Sequence, residues 1–151
     1  MKGFLKGFVY AGRGVAFALK ERNFRFHICA AAFVTYFAAR FYELSKGEWA
    51  AVWLTFALVM SAELVNTALE RLCDRVTAEK DELIKQCKDI AAGAVLICAA
   101  FAVGGGIALF GDFERISAIW AYFTEQPFRI VLLIAAIAAA GCFVFLPKKK
   151  S

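Results

Sequence analysis

Apolar residues along this chain gather into four blocks, His27 to Phe41, Trp49 to Leu69, Ile90 to Phe110 and Ile130 to Leu146, with charged stretches between them. Crossing the hydrocarbon of a bilayer takes about 20 predominantly apolar residues, with roughly 17 to 25 tolerated. The last three blocks reach that length, and the first reaches it only by taking in Phe24, Phe26 and Tyr42. Ahead of them the period changes. Phe4, Phe8, Ala11, Val15 and Leu19 recur every three or four residues, while Lys2, Lys6, Arg13 and Lys20 lie largely elsewhere. An aromatic stripe opposite a basic one suits a helix at headgroup level, or an ordinary extension packed on a bundle. The pattern predicts an all-α integral-membrane fold, with an N-terminal interfacial amphipathic helix over about 1–21 and transmembrane helices at about 24–42, 49–72, 88–110 and 129–146.

The connections differ in character. Glu43 to Glu48 is short, which makes the first two spans antiparallel neighbours. From about Asp74 to Lys88 the chain is densely charged, and from about Gly111 to Arg129 it carries Trp120, Tyr122 and Phe123, residues that favour a membrane interface. Gly104-Gly105-Gly106 falls inside the third span with no GxxxxGK[ST] after it, so close helix packing or a local kink is expected there and a phosphate loop is not.

Composition agrees with the pattern. Of 151 residues, 62% are hydrophobic, against roughly 45–50% in soluble domains, and the length suits one domain. The net charge of +5 would suggest a nucleic-acid partner if it were spread over a surface. Instead it is sorted. Lys2, Lys6, Arg13, Lys20, Arg22 and Arg25 precede the first span, Arg71, Arg75, Lys80, Lys85 and Lys88 surround the second connection, and Lys148, Lys149 and Lys150 close the chain. With four spans these segments share one side, which the positive-inside rule makes cytoplasmic. The first twenty residues lack the long apolar core of a cleavable signal peptide. Cys29, Cys73, Cys87, Cys98 and Cys142 form no CxxC pair and read as small hydrophobes.

The second span ends in the segment richest in chemistry. Glu63, Asn66, Glu70 and Asp74 stand at i, i+3, i+7 and i+11, which places them at roughly 0°, −60°, −20° and +20° around a helix, one narrow stripe. Carboxylates at depth in a membrane are costly and mark functional sites. A hydrogen-bonded structural seam is the alternative, although three carboxylates in a seam repel one another unless cations or protons sit between them. Carboxylates at a membrane face can hold Mg²⁺, which takes one or two of them together with substrate phosphates. Glu63 lies about 10 Å deeper than Glu70 along the axis, so one carboxylate sits near a lipid hydroxyl and the other near a triphosphate. Water-poor surroundings suit Glu63 to accept a proton, and phosphoryl transfer asks mainly for positioning and charge neutralisation. Lys88, which returns near the level of Glu70 and Asp74, is a candidate phosphate contact, and Glu21 is a further carboxylate at the same interface. A proton- or cation-relay subunit of a transporter, or a scaffolding subunit, accounts for the same stripe without ATP.

The runs Glu63-Leu-Val-Asn66-Thr-Ala-Leu-Glu70 with Asp74, Lys88-Asp89-Ile-Ala-Ala-Gly-Ala-Val, and Glu21-Arg-Asn-Phe-Arg25 resemble the small prokaryotic diacylglycerol kinases, a family that includes undecaprenol kinases. The resemblance covers roughly Phe4 to Gly106. It implies a homotrimer with an interfacial helix and three spans per subunit, using ATP and Mg²⁺ to phosphorylate the hydroxyl of undecaprenol or diacylglycerol. Position by position it makes Glu63 the general base, Asn66 an essential neighbouring amide, and Glu21 and Glu70 the metal-holding carboxylates. Asp74, Lys88, Asp89, Tyr10, Glu79 and Asp81 become nucleotide contacts, Asp81 standing where some relatives carry a histidine. Glu63 and Ala92 match lipid-substrate positions. Arg22 to His27 looks more like the undecaprenol-using branch. Residues 1–111 then form the lipid kinase domain. The family pattern is complete after three spans, so 112–151 is an addition comprising an outer connection, an extra transmembrane helix and a basic cytoplasmic tail.

Overall fold

The computed structural model describes residues 2–77 and 81–145, with the side chains of residues 2 and 3 left aside. Every regular element among the described residues is a helix: α1 (Lys2–Ala18), α2 (Arg22–Phe41), α3 (Lys46–Val76), α4 (Glu82–Phe110), α5 (Phe113–Glu125) and α6 (Pro127–Phe145). The fold is all-α and integral to the membrane. Three helices, α3, α4 and α6, are long and apolar enough to cross a bilayer. With Arg22, Arg25, His27 and Arg40, α2 falls just short of that composition. Its geometry nevertheless matches a crossing. Twenty residues make a rod about 30 Å long. Arg25 near its start donates to the Val144 carbonyl at the end of α6, and Tyr42 just past its end donates to the Phe110 carbonyl at the end of α4.

Local chemistry sets the helix limits. Ser45 accepts from the Glu48 amide at 3.3 Å while the Glu48 carboxylate accepts from the Ser45 amide at 2.7 Å, a capping box that starts α3. Ser45→Ala is expected to cost about 1 kcal/mol, read as a lower thermal unfolding midpoint in detergent; an unchanged midpoint would show that the cap adds nothing. Gly111 ends α4 where any Cβ would collide with the Ile107 carbonyl.

α3 has 31 residues, about 46 Å of helix against a hydrocarbon core of about 30 Å. Its last turns therefore stand clear of the membrane. As a result the inner connection is shorter than the charge pattern predicts, because α3 continues to Val76 and α4 begins at Glu82. The outer connection also differs, since its aromatic stretch is the helix α5. Asp112 caps α5 by accepting from the amides of Glu114 and Arg115 at 2.9 and 3.3 Å. Tyr122 and Phe123 of α5 meet Phe37 and Phe41 of α2, and Arg115 donates to the Phe41 carbonyl at 3.1 Å. Gly104, Gly105 and Gly106 form neither a close helix contact within the chain nor a break: α4 runs through them, and nothing lies within 4 Å of where their Cβ atoms would be.

α3 and α4 pack most extensively, α2 lies against both α3 and α6, and α1 touches α3. Most of the surface of α4 stays open, with none of its most apolar 18-residue stretch buried.

Candidate active site

Among the described residues, the buried polar and charged side chains are Arg25, Glu63 and Asn66. They cluster at one end of the bundle, the end where α2 starts and where α3 and α6 finish. There a cavity of about 450 Å³ is lined by Glu21, Arg22, Asn23 and Arg25 from the start of α2, by Glu63, Thr67 and Glu70 from α3, and by Val144 and Phe145 from α6.

Helical period carries α3's share. Glu63, Thr67 and Glu70 follow at i, i+4 and i+7, so one face presents all three. Glu63 is only 3% exposed, and Asn23 of α2 lines the same cavity. Asn66, 5% exposed, donates from Nδ2 to the Glu70 carboxylate at 3.0 Å. Its Oδ1 is buried without a hydrogen-bond partner, an unusual state for a polar atom and one that a ligand can satisfy. The turn at residues 19–21 then brings in Glu21, whose carboxylate accepts from Arg71 at 2.9 Å. The Arg71 guanidinium also lies over Phe17 of α1, 5.8 Å from its ring centre. Beyond Glu70, Lys88 of α4 reaches across to Asp74 and pairs with it.

The structure thus gathers Glu21, Glu63 and Glu70 at one cavity with Asn66 bracing Glu70, and joins Asp74 to Lys88 one to two turns further out. Other residues singled out from sequence lie apart. Tyr10 is 62% exposed on α1. Asp81 accepts from the amides of Leu83 and Ile84 at 2.8 and 3.0 Å as the N-cap of α4. Asp89 and Ala92 are exposed on α4 outside the cavity. Glu79 lies outside the described residues, as do Lys80 and the lysines at 148–150.

Sequence reasoning passed over Asn23 and Arg25 as site residues, although both stand in the quoted Glu21-to-Arg25 run; a cation and an amide at the mouth of a span were the available signal. Thr67, four residues from Glu63, was legible from the helical period. Val144 and Phe145 had no local signal, since only the packing of α6 on α2 brings them in.

Among the described residues no three His, Cys, Asp or Glu side chains converge as a metal cage. Of the three carboxylates lining the cavity, Glu21 and Glu70 lie on its outer side from Glu63, and Mg²⁺ typically completes such a pair with substrate phosphates and water. The donor set fits a metal that arrives with a nucleotide.

Comparison with known proteins follows the same residues. The prokaryotic diacylglycerol kinase model matches residues 9–110. The chain is 42% identical over 108 residues to an undecaprenol kinase of Bacillus subtilis, covering 71% of this chain and 87% of that protein. It is 44% identical over 110 residues to a diacylglycerol kinase of Synechocystis, covering 70% of this chain and 62% of that protein. A diacylglycerol kinase of Haemophilus influenzae is 32% identical over 103 residues, 67% of this chain and 87% of its own length. No solved structure is matched. The matched region runs from the middle of α1 to the last residue of α4, and α5 and α6 lie beyond it. With its membrane helices and its carboxylate-lined cavity, the chain belongs to the prokaryotic diacylglycerol kinase family of lipid kinases.

Proposed function

We propose that this lipid kinase transfers the γ-phosphoryl group of ATP to the hydroxyl of undecaprenol or diacylglycerol, giving undecaprenyl phosphate or phosphatidic acid, at the cytoplasmic face of the bacterial inner membrane. The observation that carries it is Glu63, buried within a span yet lining a cavity shared with Glu21 and Glu70. Sorting of Lys and Arg to the ends bearing that cavity supports the cytoplasmic orientation.

In this reading Glu63 takes the proton of the acceptor hydroxyl as its oxygen bonds to the γ-phosphorus and the bond to the β–γ bridging oxygen breaks, releasing ADP. Asn23, on the same cavity wall, would orient the Glu63 carboxyl. Glu21 and Glu70 would hold Mg²⁺, which when bound neutralises charge on the phosphates. Asn66, behind the cavity wall, fixes Glu70 through its Nδ2. Lys88, turned toward Asp74, is close enough in level to move onto a phosphate. Tyr10, Glu79, Asp81 and Asp89 are the outer nucleotide contacts of the reading, and Ala92 a lipid contact. A homotrimer accounts for the open face of α4, which a neighbouring subunit would cover.

The test is transfer of label from ATP·Mg²⁺ by purified protein in mixed micelles, with undecaprenol and diacylglycerol offered separately. Labelled lipid in one or both tubes is expected. Folded protein that labels neither lipid would overturn the assignment.

A further inference from the structure

Helix α6 lies outside the region matched by the family, yet its last residues reach the catalytic cavity. Val144 is 6% exposed, and together with Phe145 it lines the cavity opposite Glu63, Thr67 and Glu70. The end of α6 is also fastened there. The final carbonyls of a helix lack intrahelical partners and carry partial negative charge. α6 has no basic residue in its own last turn. Arg25 of α2 supplies the cation, donating to the Val144 carbonyl at 2.8 Å, and its guanidinium lies 5.8 Å from the Phe143 ring centre. Arg22 covers Phe145 in the same way at 6.0 Å.

Depth identifies which substrate these side chains meet. Arg25, which holds the Val144 carbonyl, lies four residues further into the membrane along α2 than Glu21, and Glu21 meets Arg71, the residue after Glu70, so the end of α6 sits below the Glu70 level, toward Glu63. Glu70 is about 10 Å nearer the membrane surface. Val144 at that depth, with Phe145 beside it 71% exposed on the surface side, gains nothing from a triphosphate and can pack against carbon atoms beside a reacting hydroxyl. We propose that Val144 and Phe145, held by Arg25, form the acceptor-selecting wall of this lipid-kinase site, narrowing it in favour of a slim single-chain alcohol over a two-chain glyceride. The inference rests on the lipid-kinase reading of the same cavity and extends it to a part of the chain that the family match does not reach.

Variants of the full chain test it, with kcat and KM measured for undecaprenol, diacylglycerol and ATP. Val144→Ala and Phe145→Ala are expected to raise kcat/KM for diacylglycerol relative to undecaprenol by about tenfold, the scale at which pocket methylenes discriminate. Val144→Trp is expected to raise the KM of both lipids by a similar factor of about ten while the KM for ATP stays within about twofold. An unchanged lipid ratio in folded alanine variants, or an effect confined to the KM for ATP, would overturn the wall. Should the tryptophan variant fail to fold, the two alanine variants still decide. Wild-type protein that labels neither lipid would remove the underlying kinase reading, whereas active wild type with an unmoved ratio removes only the wall.

Discussion

Glu63→Gln is expected to fold, insert and assemble as the wild type does, and to lose about two to four orders of magnitude in kcat, the span general base catalysis usually contributes. Gln has nearly the shape of Glu and fills the same space against α2. It removes the negative charge and with it the capacity to take a proton. A carboxylate buried inside a membrane helix is costly, so a neutral amide at 3% exposure should leave stability equal or higher. Activity and stability therefore move independently, as a structural seam would not allow. If Glu63 only held helices together, Gln would lower the unfolding midpoint and leave phosphorylation near normal. Paired measurements of kcat and thermal midpoint in the same detergent separate the two roles, and near-normal turnover would remove Glu63 as the base.

The sequence made part of this site legible and hid part of it, for identifiable reasons. Glu63, Asn66 and Glu70 share one helix, so their common face follows from the 3.6-residue period and needs no knowledge of tertiary structure. Glu21 could be placed at the right interface from topology. Its pairing with Arg71, however, depends on how the start of α2 meets α3. Asp81 was read as a nucleotide contact, and its position ahead of Leu83 and Ile84 was also an N-cap signal. Charge misled the reading of the inner connection. Charged residues do not end a helix once it has left the bilayer, and α3 continues through Asp74 and Arg75. Helix α5 went unnoticed because Trp120, Tyr122 and Phe123 suggested an interfacial loop, although Asp112 followed by Ile116, Ile119 and Phe123 has helical spacing. The contribution of α6 had no local signature at all. It depends on a cation 119 residues away satisfying a terminal carbonyl.

The second large effect belongs to the pair Glu70 and Asn66. Glu70→Gln is expected to lower kcat/KM for Mg·ATP by about 10²–10³, the scale for removing one preorganised charged contact to a reacting phosphoryl group. The Mg²⁺ concentration for half-maximal activity should rise with it. Asn66→Ala should shift that same Mg²⁺ dependence in the same direction by about 10- to 100-fold, because in the proposed site Asn66 would act on the metal only through Glu70, and groups that orient a metal ligand carry effects of that size. The ordering follows from the hydrogen bond of 3.0 Å between Asn66 Nδ2 and the Glu70 carboxylate. Without it, Glu70, largely exposed at the cavity mouth, has more rotamers open to it and meets the metal less often in the right one. The double variant should then be little worse than Glu70→Gln alone, since bracing an amide that no longer binds metal gains nothing. Full additivity would instead give Asn66 a separate role, with its buried Oδ1 as the atom to examine. An unchanged Mg²⁺ dependence in Glu70→Gln would move the metal away from α3 altogether and leave Glu21 as the carboxylate to test next.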